Sequence, residues 1–150
     1  MPETQPDPEQ TLDAVRRNLP VAAVSFDPGA ARTGLVIVDE VNGFATVGAG
    51  NLAPPAENPQ VTRMIEETDT LARRFVADGW PVLAFLDTHQ PGKPEPPYPP
   101  HCEQGSGEEE LVDALKWLSD EGAARLVRKD CINGFIGAMD LYQAVKSLTH

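Results

Sequence analysis

The chain is short of positive charge and cysteine and has no long apolar run, and each shortage excludes something. Only 12 Lys and Arg stand against 23 Asp and Glu in 150 residues, for a net charge of -11. Polyanionic partners are held by clustered cations that release counterions, so neither nucleic acid nor a membrane surface is expected as a partner. The two cysteines, Cys102 and Cys131, form no CxxC pair and read as free thiols rather than a disulfide. The longest apolar stretches, 82–86 and 35–38, are far too short to cross a bilayer. No basic segment followed by an apolar one opens the chain, and the expected compartment is the cytoplasm. Internal repeats and a glycine-rich phosphate fingerprint are also missing.

What is present is a globular composition, 41% hydrophobic and 23% charged, at a length suited to one domain. Residues 1–20, rich in Pro, Glu, Asp and Gln, read as a mobile arm with a short helix over 11–18; the domain proper is expected over 21–150. Residues 34–39 form a β-branched aliphatic run that predicts a strand covered on both faces. Asn58 is a good N-cap with Pro59 at the first helical position. From there Val61, Met64, Ile65, Thr68, Leu71, Ala72, Phe75 and Val76 keep the helical period until Gly79. Residues 81–86 predict a second buried strand ending at Asp87. Ser106 and Glu109 have the spacing of a capping box and predict a helix carrying Leu111, Ala114, Leu115 and Leu118 inward. Residues 125–129 predict a third strand and 140–150 a last helix. Strand and helix thus alternate, which implies an α/β fold with a parallel sheet and a ligand site beyond the strands' carboxyl ends.

Ionisable groups gather at those ends. Asp39 closes the first strand, Asp87-Thr88-His89 the second and Lys129 the third. Asp87 and His89, two apart in an extended segment, leave on one face and can share a divalent cation. His101 is a third ligand candidate, beyond a loop in which Pro91, Pro94, Pro96, Pro97, Pro99 and Pro100 restrict the unfolded chain. Such a set leaves coordination positions open. The plainer alternative is a surface Asp-x-His and an unrelated histidine. Lys129 reads either as a solvated strand-end lysine or as a cation stabilising a thiolate or oxyanion. Asp39 is a strand cap or a base. Phe44 and Tyr98 are loop anchors or the walls of a small aromatic site.

Three ordered segments resemble a known family. Leu35-Val36-Ile37-Val38-Asp39-Glu40-Val41-Asn42-Gly43-Phe44 is similar to the opening strand of nicotinamidases and isochorismatase-like cysteine hydrolases. Phe85-Leu86-Asp87-Thr88-His89 with Tyr98-Pro99-Pro100-His101-Cys102 resembles their metal motif, and residues 128–135 the segment of their catalytic lysine. The proline-rich loop looks like the plant-type nicotinamidase branch. The resemblance implies a Rossmann-like parallel sheet with helices on both faces. It also implies Asp39 as the base that takes a thiol proton and Lys129 as the group stabilising thiolate and tetrahedral intermediate. Asp87, His89 and His101 would hold a divalent metal, zinc first, manganese or iron next, and Phe44 and Tyr98 would flank a nicotinamide ring. The implied reaction is hydrolysis of nicotinamide to nicotinate and ammonia in NAD salvage.

One departure qualifies the expectation. The family's nucleophilic cysteine follows a fourth strand, whereas 21 residues follow Lys129 here and a βαβ unit takes about 30. Cys102 and Cys131 read as structural, so the chain is expected to be a fragment lacking the nucleophile. The alternative is a catalytically silent metal- or ligand-binding module of the same fold. Either way the first strand would present an open edge, suited to a second copy or a complementary fragment.

Overall fold

Three aliphatic runs pair into one parallel sheet: β1 (Leu35–Val38), β2 (Val82–Asp87) and β3 (Ala124–Lys129), in the order β1-β2-β3. The computed structural model describes residues 8–19, 33–93, 95–120, 122 and 124–136. Helices α1 (Pro8–Asn18), α2 (Asn42–Ala45) and α3 (Pro59–Ala77) and a 3-10 helix (Asp113–Ser119) complete the elements. Within the expected arm, the helix begins at Pro8, three residues before the predicted start. The expected domain start near residue 21 and the predicted helix over 140–150 lie outside the described residues. Among the described residues no helix is long and apolar enough to cross a membrane.

Helix α3 forms where its capping chemistry predicts. Asn58 accepts the Gln60 N–H at 3.0 Å, Pro59 opens the helix, and Gly79 follows it with φ +71°. Its inner face, including Ala72, Ile65, Phe75 and Val76, packs with Ile37, Val82, Ala84 and Leu86 of the sheet. Leu115 and Leu118 of the 3-10 helix join the same cluster. Asp69 ties the two helices together: its carboxylate accepts from Trp117 Nε1 at 2.6 Å and Arg73 Nε at 3.0 Å. The Arg73 guanidinium lies 4.4 Å from the Trp117 ring centroid.

The opposite sheet face carries Leu83 and Phe85, packed by Val127 and Phe135. Cover is unequal across the strands, and the expectation that β1 is covered on both faces is corrected here. Val36 and Val38 are 45% and 54% exposed, whereas every residue of β2 is buried. β1 is an edge strand of the described sheet, while β2 has a neighbour on each side and a cluster on each face.

A second correction concerns the helix predicted from Ser106. Residues 106–112 form an irregular loop, and only 113–119 are helical, as a 3-10 turn. Gly105 and Gly107 adopt φ of +85° and +86°, which breaks a right-handed start. The segment is instead stitched to the chain after β1: Gly43 N–H donates to Glu108 O at 2.8 Å, Asn42 N–H to Glu110 O at 2.9 Å and Val112 N–H to Glu40 O at 3.2 Å. Leu111, Leu115 and Leu118 are still buried as the periodicity predicted, whereas Ala114, expected inward with them, is exposed, because the 3-10 turn does not keep the α-helical face.

Buried Glu40 sits beneath α3, where Thr68 Oγ1 donates to its Oε1 at 2.7 Å and Oε2 has no partner. Burial pushes its carboxyl above the ordinary range, and the Thr68 bond only partly offsets this. A raised folded-state value gives stability that is full below the unfolded carboxyl pKa and is lost as pH rises through the folded value. Glu40→Gln is therefore expected to raise stability at neutral pH by about 1 kcal/mol, with no gain in acid. Urea melts of both proteins across that range check it; equal stability throughout would show that the carboxylate is solvated.

Candidate active site and cation cluster

Parallel pairing sets the site's floor. Asp87, the last residue of β2, stands in register with Lys129, the last of β3, and Asp39 N–H donates to Phe85 O at 3.0 Å. Three strands therefore end side by side; Asp87 and Lys129 lie on the Phe85 face, and Asp39, whose φ of +61° takes it out of the strand, is reached by the lysine. Lys129 Nζ lies 2.9 Å from Asp87 Oδ1 and 2.9 Å from Asp39 Oδ1. The Asp87 contact is a directed hydrogen bond, whereas the Asp39 contact is an ion pair off the ideal direction. Burial works against the lysine's charge, but its close contacts with Asp39 and Asp87 outweigh it and hold its pKa above the usual lysine range. Of the two readings open for Lys129, the solvated strand-end lysine is excluded by its burial.

The two histidines arrive by backbone pairing. His89 N–H donates to Cys102 O at 2.9 Å and Gln104 N–H to His89 O at 2.8 Å, a parallel bridge that closes the proline-rich loop. Glu103 Oε1 accepts from Gly92 N–H at 2.8 Å, and Asn51 Nδ2 donates to Pro100 O at 2.7 Å, which pins the loop's two arms. Asp87, His89 and His101 consequently converge with one ligand atom each, all within 4.8 Å of one another and all buried. His89 Nε2 is 2.9 Å and His101 Nε2 3.3 Å from the same oxygen, Asp87 Oδ2. The alternative of an unrelated surface histidine is thus excluded.

The structure adds a carboxylate that sequence reasoning missed. Glu95 Oε2 lies 3.3 Å from His89 Nε2 and 3.6 Å from His101 Nε2. The available signal was an acid inside a proline-rich loop between the two histidines. Its position in three dimensions depends on how that loop closes, which no local pattern encodes.

The donor set fits a divalent cation. His101 Nδ1 lies 2.8 Å from Pro99 O, and a carbonyl only accepts, so the proton sits on Nδ1. On a neutral ring, Nε2 would present a lone pair to Asp87 Oδ2 at 3.3 Å and Glu95 Oε2 at 3.6 Å, acceptors facing an acceptor. A cation among Asp87, His89, His101 and Glu95 satisfies all four at once, and the Pro99 carbonyl is the outer partner that ligating histidines usually have.

Beside the cluster opens a cavity of about 260 Å³. Asp39, Asp87, Glu95, His101 and Lys129 supply its polar side, and Phe44, Leu52, Tyr98 and Ile132 its apolar one. Phe44 and Tyr98 lie 5.6 and 6.1 Å from the His101 ring. Both predicted wall residues are therefore brought to the site, with Tyr98 largely exposed.

The two cysteines differ. Cys102 is fully buried, and burial together with the charges of Asp87, Glu108 and Asp39 pushes its thiol up to about 12, against a smaller opposing effect of Lys129. It stays protonated and is no nucleophile. Cys131 borders the cavity and donates to Asn133 O at 3.3 Å. Both are free, as expected.

Comparison with known proteins agrees with this geometry. Residues 33–149 match the isochorismatase domain family. Nicotinamidase 1 of Arabidopsis thaliana is 61% identical over 107 residues, covering 71% of this chain and 44% of that protein. The chain thus spans less than half the length of this relative. A solved nicotinamidase of Bacillus subtilis superposes with a TM-score of 0.62 at 27% identity, over 77% of this chain and 65% of the other. A pyrazinamidase of Pyrococcus horikoshii, solved in complex with zinc, shares the fold with a TM-score of 0.57 at 23% identity, over 76% and 63%.

Proposed function

The chain belongs to the isochorismatase family, and from that membership we propose that its site is that of a nicotinamidase-type amide hydrolase. The substrate is nicotinamide and the products are nicotinate and ammonia, in pyridine nucleotide salvage. The observation that carries this reading is the meeting, at one small cavity, of a buried Asp-His-His cluster and an Asp39–Lys129–Asp87 charge chain whose lysine and Asp87 are buried. Free thiols in both cysteine positions support a cytoplasmic setting.

In this reading Asp87, His89 and His101 hold a divalent ion, zinc by preference, with Glu95 in reach. Bound there, the ion supplies a Lewis acid that orients a pyridine nitrogen. The remaining work falls to the chain's own side chains. Phe44 and Tyr98 flank a flat ring, and a 260 Å³ space admits one ring but not a drug-sized ligand. Lys129 pairs with both Asp39 and Asp87, and Asp39, which borders the cavity, is the base that accepts a proton from an attacking group. The Lys129 ammonium then faces the oxyanion that forms as the amide carbon becomes tetrahedral. The net reaction adds water across the C–N bond, leaving carboxylate and ammonia.

Calorimetric titration of the zinc-loaded protein with nicotinamide and with benzamide, which lacks the ring nitrogen, tests the reading. Nicotinamide is expected to bind at least about 10-fold more tightly. Equal binding of the two, or none, would overturn it.

Cys102 is fully buried and does not line the cavity, which favours a second reading, a module that binds the ion and ligand without hydrolysis. Ammonia release from nicotinamide by the protein, lost in Lys129→Ala, excludes that module; tight binding without release supports it.

A further inference from the structure

One polar side chain beside the site does no chemistry in the reading above and yet is deeply engaged. Glu108 comes from the loop where a helix was predicted, and its carboxylate Oε2 accepts the Cys102 N–H at 2.9 Å. Cys102 is the residue after His101, and it holds φ +45°, the left-handed region that a side chain with a β-carbon enters only when something retains it. The backbone of Glu108 is fixed from the other side, since its carbonyl accepts Gly43 N–H at 2.8 Å. Asn42 Nδ2 donates to the neighbouring Gly107 O at 3.0 Å.

The surroundings are cut to this side chain. A β-carbon on Gly50 would collide with the Glu108 carboxylate, and one on Gly43 would stand 2.6 Å from Cys102 Sγ and 3.1 Å from Glu108 Cβ. Gly43 precedes the cavity wall Phe44, and Gly50 precedes Asn51, whose amide holds Pro100 O at 2.7 Å. A single carboxylate thus sits where three loops meet: the turn after β1, the loop before α3 and the end of the proline-rich loop.

We propose that Glu108 is a positioning residue for the cation site, acting through the Cys102 amide to fix His101 against Asp87 and His89. The inference rests on the reading of that cluster as a cation site and adds how its most distant ligand is held. His89 and Asp87 are set by β2 itself, two residues apart. His101 lies outside any named strand, so its placement relative to them depends on the anchors of its two neighbours: Asn51 on Pro100 O, the His89 N–H on Cys102 O, and Glu108, whose carboxylate holds the Cys102 N–H. Loss of a group that hydrogen-bonds a ligand directly weakens metal binding by roughly 10–100-fold, and the anchor of the adjacent peptide is expected to act within that range through the position of the ring.

Zinc affinity, measured by competition with a chromophoric chelator, tests this in five proteins: wild type, Glu108→Ala, Glu108→Gln, Asp87→Ala and Asn58→Ala. Glu108→Ala is expected to bind zinc about 10–100-fold more weakly. Glu108→Gln, which keeps an amide oxygen to accept the Cys102 N–H, is expected to stay close to wild type. Asn58→Ala lowers stability through the α3 cap, which contributes nothing to the cluster or the cavity lining, and is expected to leave zinc affinity unchanged, which separates positioning from general destabilisation. If Glu108→Ala does not fold, Gly50→Ala, which retains the carboxylate but crowds it, carries the same prediction. Wild-type zinc affinity in a folded Glu108→Ala, or in Gly50→Ala, would overturn the proposal while leaving the cation site standing. Equal and weak binding by wild type and Asp87→Ala would overturn the cation site and the proposal together.

Discussion

Asp87→Ala is expected to abolish divalent-ion binding at the proposed site. Its Oδ2 is the oxygen that both imidazoles approach, at 2.9 and 3.3 Å, and its Oδ1 is the oxygen that holds Lys129. No other side chain in the cluster links the histidines to the lysine. Removing an outer partner of a metal ligand already weakens affinity about 10–100-fold, so deletion of the central ligand is expected to exceed about 100-fold. Elemental analysis after dialysis against zinc reads the outcome: close to one equivalent in the wild type and next to none in the variant. His89→Ala and His101→Ala are expected to follow. An Asp87→Ala protein that retains zinc at wild-type affinity would show that the ion binds elsewhere.

The second large effect lies in stability. Lys129→Met removes the one cation that neutralises Asp39 and Asp87 in the described site, with the lysine and Asp87 side chains only 5% and 6% exposed. Methionine matches the aliphatic stem, so packing changes little and the charge is what is lost. Breaking a buried pair by deleting one partner costs about 3–5 kcal/mol, because the charge left behind has no compensation. Urea denaturation of the metal-free protein is expected to show a loss of that size. The double variant Lys129→Met/Asp87→Asn is expected to recover a good part of it, since the stranded charge is then gone as well. A loss below about 1 kcal/mol would mean that water reaches the pair and screens it.

Several parts of this arrangement are local and were legible in the chain. Asn58, Pro59 and Gly79 bracket α3 because capping and chain reversal involve residues within a few positions of each other. The aliphatic content of 82–86 announces a strand, and it is indeed buried on both faces. Asp87 and His89 share a face because strand geometry alternates by two, whatever the rest of the fold does. The three segments similar to the nicotinamidases extended this to Asp39, Lys129 and His101, which the structure brings together.

Where local signals conflicted with distant contacts, the distant contacts prevailed. Ser106 and Glu109 have capping-box spacing, but Glu109 instead accepts the N–H groups of Gly105 at 2.6 Å and Gly107 at 2.8 Å. Those bonds, with its own N–H and Arg128 nearby, outweigh burial and hold its carboxyl below the ordinary range. The loop they shape is paid for by pairing with residues 40–43, more than 60 positions away. The cover of β1 likewise followed from its place at the sheet's edge rather than from its composition, since Val36 and Val38 are as apolar as the buried residues of β2.

By itself the sequence determined the elements whose signals lie within a turn or two of the chain: the strands, α3, and the shared face of Asp87 and His89. Only the tertiary structure decided that Asp87 registers with Lys129, that His89 pairs with Cys102 and Glu103 beside His101, that Glu95 reaches the two histidines and that Glu108 holds the Cys102 N–H. The division has a physical cause. Propensity, capping and alternation are properties of neighbouring residues, whereas register and loop closure depend on contacts whose partners lie far along the chain and leave no periodic trace in it.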